Sequence, residues 1–287
     1  MIRNDSLGPL QLEGFDEIQT GHWTLENDGH SVVLQVGSGM EMCTTPSSCT
    51  STGEVRPRTV LNTQWTDADT QWRYSTVSRQ RYTVTRLTLQ QTVTVQPSLK
   101  VSVCSQMHIV NMKSIHPNMS AALDDPTGLA VLGFLVDVVY ADNVHFGHIS
   151  QKLSSVAYKG QTTKVKPFPL LSLLPKHNMS QYYRYYGSLT TPPCSQAVVW
   201  TLFEVPIYIS WSQLAQFTSQ IFSTKEDAEQ VTPLQNNFRH IHPTFSRTVT
   251  ASRDAKLLTG TAGQPPRLAA SVLLLQIVLC GGFTFKL

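Results

Sequence analysis

Apolar and β-branched residues along this chain come in short runs broken by Gly and Pro, and little of it follows a helical period. The stretch from Arg79 to Leu89 (RQRYTVTRLTL) and the stretch from Ala197 to Ile209 (AVVWTLFEVPIYI) are rich in Val, Thr, Ile and aromatic residues. Such runs, bounded by turn formers, predict strands, so the chain reads as mostly β with a few short helices. One segment departs from the pattern. From Leu268 to Leu287 (LAASVLLLQIVLCGGFTFKL) the chain is apolar, with Gln276 as its one strongly polar interruption before Lys286. A Gly- and Pro-containing spacer from Leu257 to Arg267 precedes it, with the small residues Ala251 and Ser252 upstream. Small residues, spacer and apolar tail in that order predict a GPI-attachment signal, which is exchanged for lipid. A buried C-terminal helix and a transmembrane span are the other readings of the tail. At the other end Met1-Ile-Arg-Asn-Asp-Ser has no apolar core of a secretory signal, so the expected entry signal lies upstream of Met1.

Composition narrows this picture only modestly. The chain has 287 residues, 41% hydrophobic and 14% charged, enough for one sizeable core. Its formal charge of +3 is spread without a basic block, which argues against nucleic acid as a partner. Cys43, Cys49, Cys104, Cys194 and Cys280 form an odd set without metal-type spacing. Asn4, Asn118 and Asn178 each open an Asn-x-Ser triplet, as in a secreted glycoprotein.

Candidate chemistry enters with the segment from Tyr182 to Trp200 (YYRYYGSLTTPPCSQAVVW). Three shorter words accompany it: Met107 to Met112 (MHIVNM), Gly128 to Val136 (GLAVLGFLV) and Asn27 to His30 (NDGH). Together these resemble the α-carbonic anhydrases, over roughly residues 15–40 and 107–250. The Cys after the Thr-Thr-Pro-Pro run and the apolar tail resemble the membrane-bound, GPI-anchored branch of that family.

The resemblance implies a large, central, twisted and mainly antiparallel sheet with short peripheral helices, in a domain spanning 1–250, followed by spacer and tail over 251–287. It implies reversible, zinc-dependent hydration of CO2 to bicarbonate and a proton, by a monomer lipid-anchored to the extracellular face of the cell membrane. The chemistry needs a hydroxide at neutral pH. A Zn2+ held by three imidazoles brings its bound water to a pKa of about 7, a value belonging to carbonic anhydrases in general and not obtained for this chain. Two of the imidazoles come from a His-x-His pair, whose members face one side of a strand. The third comes from the neighbouring strand, and by resemblance it is His108. Thr190 matches the threonine that orients the zinc hydroxide, with Thr191 beside it at the mouth. Val110, Leu129, Val131, Leu189, Val198 and Trp200 match the apolar wall that receives CO2. His30 matches the imidazole that carries the proton away, a task suited to a pKa near 6.5. His240 and His242 have His-x-His spacing but fall where the family has a surface segment, and His145 and His148 sit in a loop-like run.

The chain departs from the family between His30 and His108. The family words HxHWG and SEHTVDG are absent, and residues 41–106 contain no histidine. Gln106 stands where the family has an acidic partner for the third ligand. Cys194 matches a disulfide cysteine whose partner belongs to the missing N-terminal part. The genetic code supplies a cause. Codons permitted for Cys43 to Glu54, read from the third base of the first, spell YNAVQLHLHWG. The same offset gives SEHTVDG from Val60 to Asp67 and GRRYPME through Arg73. Residues 43–73 thus read as the zinc-ligand exon out of frame. Residues 74–106 read as translated intron, of a length that restores the family frame at Met107. Two alternatives follow for the polypeptide itself: a zinc-free, catalytically inactive relative, or a product that does not fold. Foreign, Thr-rich sequence in the middle of the sheet is expected to leave unpaired edges and a damaged core.

Overall fold

The computed structural model describes residues 1–19, 21–36, 41–43, 81–95, 101–237, 239 and 242–257. The apolar tail, Cys49, Cys280, His240 and most of the out-of-frame stretch lie outside them.

Strands dominate. In chain order they are β1 (Ile2–Arg3), β2 (Gln11–Glu13), β3 (Trp23–Asn27), β4 (Val32–Gln35), β5 (Glu41–Cys43), β6 (Arg81–Val95), β7 (Val101–Lys113), β8 (Leu129–Val139), β9 (Thr162–Val165), β10 (Tyr182–Gly187), β11 (Val198–Phe203), β12 (Ile207–Ser210) and β13 (Thr250–Ala251). The helices α1 (Met119–Leu123), α2 (Gly147–Ser150) and α3 (Trp211–Gln220) are short and peripheral. All strands join one sheet in the order β1-β13-β10-β11-β8-β7-β6-β4-β3-β9, with β12 on β8 and the pair β2-β5 reaching β6. Most ladders are antiparallel, but β8 runs parallel to both β11 and β12, and β1 parallel to β13, so the sheet is mixed.

Period-two alternation sorts the central strands into two apolar faces. Met107 and Ile109 of β7, Ala130, Leu132 and Phe134 of β8, and Val199 and Phe203 of β11 join the main core. The alternate residues Val110, Leu129, Val131, Val198 and Trp200 form a second cluster. Strand β8 is buried on both sides along Leu129–Val136, which explains its continuous apolar run. The main core is closed by Phe146, Ile149, Leu153, Leu214 and Phe217 from the peripheral helices and turns. Helix α3 starts at a capping box in which Ser210 accepts from the Gln213 backbone and the Gln213 side chain from the Ser210 backbone.

The unpaired edges expected around 41–106 are not found along Tyr82–Thr83 and Arg86–Leu89, which are paired on both sides. Strand β6 lies wholly within that stretch, yet it is paired with β7 from Tyr82↔Lys113 to Val95↔Val101. On its other side Arg86–Leu89 pair with β4, and Arg81–Thr83 with β5. Leu87 is buried in the main core. A Thr- and Val-rich segment suits a pleated, half-buried surface whatever its origin, and that property suffices for pairing.

The sheet also reaches the region read as an anchor junction. Ala251 pairs with Tyr183. Ser252 is fully buried, donates to the Ser180 carbonyl and accepts from the Tyr182 amide. Tyr183 Oη donates to the Lys256 carbonyl. Ala251 and Ser252 are therefore enclosed by the fold, which makes either one a poor seat for a lipid.

Candidate functional site

His108 sits mid-strand on β7, on the face of the second apolar cluster. In register it stands between Thr88 of β6 and Gly133 of β8. Only 4% of it is exposed. Its Nε2 lies 3.1 Å from Oε1 of Gln106, two residues back along the same strand. Its ring meets Trp200 edge to face, with centroids 4.9 Å apart. Burial lowers its pKa to about 4, because the cationic ring loses its hydration with no anion to replace it. At neutral pH His108 is an uncharged imidazole.

Gly133, opposite His108, leaves room for this packing. A Cβ there would come within 3.2 Å of Leu202 Cδ1 and 3.5 Å of Trp200 Cζ3. Trp200 in turn donates from Nε1 to the Ser188 carbonyl, tying β11 to the loop that carries Leu189, Thr190 and Thr191. That loop folds on itself through Leu189 N to Ser195 O and Cys194 N to Thr191 O. Arg239 donates to Ser188 Oγ at 2.5 Å and approaches the Leu189 carbonyl at 3.5 Å.

All six residues assigned to the apolar wall lie together: Val110, Leu129, Val131, Leu189, Val198 and Trp200 share one buried cluster with Ala122. Met112, Met119, Leu123 and Tyr185 pack against it. Thr190 and Thr191 follow Leu189 and are half-buried. Gly128 lets α1 close the wall, since a Cβ there would meet the Ala122 carbonyl oxygen at 1.9 Å. The β7–β8 connection is clamped by Lys113, whose Nζ donates to Asp125 at 2.8 Å and to Thr127 at 2.9 Å. Desolvation would raise the pKa of Asp125, but hydrogen bonds from Lys113, Thr127 and His116 outweigh it and hold the carboxyl well below the usual range.

His30 is exposed, on the turn after β3. Gly29 turns with φ +84°, and the Lys159 stem occupies the space a Cβ would need. Asp28 Oδ1 accepts from the His30 amide, while Asn237 donates to the His30 carbonyl. Beneath the turn the fully buried Asn27 donates to the Val156 and Phe222 carbonyls and accepts from Gly29 N. His30 is not in ring or hydrogen-bond contact with His108. His148 is exposed and stacks on Phe168, and His242 is exposed.

The motif words did not point to Arg239 or Asn237 as supports of these loops, and Asn27 entered only as the first letter of NDGH, with no supporting role. Their partners lie 51, 207 and up to 195 residues away in sequence, a separation no local pattern reports.

The donor chemistry around His108 does not fit a zinc ion. Gln106 and Trp200 adjoin its ring. The flanking strands β6 and β8 contribute no histidine or cysteine, and Asp137 is their one carboxylate. Among the described residues no three His, Cys, Asp or Glu side chains converge as a metal site would require. Cys194 is a free thiol.

Comparison with known proteins bears on the whole arrangement. A family model described as eukaryotic-type carbonic anhydrase matches residues 100–253. The chain is 30% identical to carbonic anhydrase 12 of Homo sapiens over 275 residues, covering 95% of this chain and 69% of that protein. It is 29% identical to carbonic anhydrase 15 of Mus musculus over 265 residues, covering 92% and 75% respectively. With carbonic anhydrase 4 of Oryctolagus cuniculus it shares 28% identity over 279 residues, 96% of this chain and 77% of that protein. The mixed central sheet, the buried apolar wall beneath the Ser188–Thr191 loop and these matches together place this chain in the eukaryotic-type carbonic anhydrase family.

Proposed function

We propose that the gene specifies a zinc-dependent enzyme for the reversible hydration of CO2 to bicarbonate and a proton, and that residues 41–106 as they stand here withhold its metal. The observation that carries the reading is the convergence of the six wall residues with His108 and the Thr190 loop on one face of the sheet. Where the family frame supplies the other two imidazoles, they and His108 would hold zinc, which would supply a hydroxide at neutral pH. The roles of this chain's own residues follow from their chemistry. The wall offers CO2, which carries no net charge, a dry apolar surface. Thr190 orients the attacking oxygen, and Thr191 stands at the mouth. His30, exposed on a turn held by Asn27 and Asn237, passes the proton to solvent.

The enzyme is further proposed to be a monomeric glycoprotein held to the outer membrane face by a GPI anchor. No described helix is long and apolar enough to cross a membrane. The enclosure of Ala251 and Ser252 moves the attachment point downstream of both. Asn4, Asn118 and Asn178 are exposed and accessible to a glycan.

The test is a chain in which 43–73 are re-read in the shifted frame and 74–106 are absent. Stopped-flow CO2 hydration far above the buffer rate is expected, and a rate equal to buffer would overturn the assignment. On cells, release by a phosphatidylinositol-specific phospholipase is expected, and retention would overturn the anchor. The reading of a zinc-free relative is favoured, for the polypeptide as it stands, by the donor set around His108.

A further inference from the structure

We infer that Arg81–Val95 is a surrogate strand: it completes the sheet beside β7 without bringing a metal donor, so this chain folds without zinc and holds none. The inference rests on the family reading above, in which three imidazoles on adjacent strands hold the ion.

Among the described residues the strands beside β7 are β6 and β8, and they bring the side chains nearest in register to His108. Strand β8 presents Gly133 opposite His108, Val131 opposite Val110 and Leu135 opposite Gln106. Strand β6 places Arg86 opposite Val110, Thr88 opposite His108 and Gln90 opposite Gln106. None of these residue types is an imidazole, a thiolate or a carboxylate. The other described histidines lie on other segments, His145 half-buried just before α2 among them. His116 bonds Asp125, His148 stacks on Phe168, and His22, His30, His177 and His242 are exposed on other segments.

Strand β6 is nevertheless anchored. It carries ladders to β4, β5 and β7, and Leu87 is 1% exposed within the main core. Where a metal site is assembled from several strands, ligation and folding are coupled. Here the hold on the strand comes from backbone pairing and an apolar anchor, and that coupling is cut. Gln106 fits the same picture. A neutral amide facing a neutral imidazole is a satisfied structural pair, whereas an acidic neighbour raises the basicity of a metal-bound one.

The experiment uses the full chain, incubated with one equivalent of zinc sulfate, desalted and assayed for bound zinc and for thermal unfolding with and without EDTA. The expected result is no retained zinc and one cooperative transition that EDTA does not move. One zinc per chain, a transition lowered by EDTA, or no transition at all would overturn the inference. The double variant Arg86→His/Thr88→His puts an imidazole opposite His108 and another opposite Val110. It is expected to retain zinc and to become EDTA-sensitive, and a folded double variant without zinc would overturn the register of β6. Should the double variant fail to unfold cooperatively, the measurements on the unmodified chain still decide. Run beside these, the frame-restored chain is expected to hold zinc and hydrate CO2. Its failure would overturn the functional proposal and leave the inference about β6 standing.

Discussion

Strand β7 has two neighbours, and they differ in kind. On one side β8, with β11 beyond it, surrounds His108 with the residues of the apolar wall. On the other side β6 pairs just as completely, over Tyr82–Val95, and brings none of the chemistry. Backbone pairing asks little of a sequence: alternation, β-branched residues and the absence of Pro are enough. A coordination sphere asks for particular atoms at particular places, and one changed residue type empties it. A sheet can therefore survive a replacement that a metal centre cannot.

Several measurements break or sharpen this contrast. The largest effect is expected from Trp200→Ala on the β8–β11 side. It deletes the edge-to-face contact with His108, the bond to Ser188 and a buried indole, for a loss of about 4 kcal/mol in denaturant unfolding. Next comes a matched pair, Leu87→Ala on β6 and Leu132→Ala on β8, both from the main core. Each should cost about 3 kcal/mol. A negligible cost at Leu87 with a full cost at Leu132 would show that β6 is not seated in the core.

A third test uses acid. The folded pKa of His108 lies near 4, below the ordinary 6.5, so the unfolded chain binds the extra proton more readily. The stability held by the neutral ring is complete above pH 6.5 and is lost as pH falls toward 4, about 3 kcal/mol in all. Unfolding free energies of the unmodified chain and of His108→Leu, compared between pH 7 and pH 4, should converge by that amount. A pH-independent difference would contradict the burial of His108. The smallest shift is expected from Gln106→Glu. An acidic neighbour favours the charged ring, so the His108 transition should move to higher pH in a histidine-resolved NMR titration. No movement would mean that the Gln106 contact at 3.1 Å is absent in solution.

The sequence disclosed these two sides unequally. That Val110, Leu129, Val131, Leu189, Val198 and Trp200 gather in one cluster beside His108 was legible because they sit in long words whose spacing admits few other readings. The division into two apolar faces was not legible, because Leu129–Val136 is a continuous apolar run in which nothing marks which residue faces which core. The pairing of β6 was half legible. Its run from Arg79 to Leu89 reads as a strand, and only five residues separate β6 from β7, but the unfamiliar text suggested damage instead of a ladder between them. The parallel partnership of β8 with β11 left no local mark, because nothing in a strand's own composition names its neighbour. Arg239 and Asn237 were silent for a related reason: a hydrogen bond to a loop carbonyl demands a donor within reach, and many residue types supply one.

The unequal lengths of these neighbours have a practical consequence. Strand β8 accompanies β7 only as far as Ser105, while β6 and β7 continue together through Thr92–Val95 and Val101–Cys104. Among the described residues that extension has no third strand, and it is an uncharged run of Thr, Val, Ser and Cys. A two-stranded ribbon of this composition exposes backbone donors and acceptors along both margins, ready to template a further copy. Solubility at high concentration, rather than thermal endurance, is therefore expected to set the working limit for this protein, and a lysine placed on the ribbon is the remedy its shape suggests.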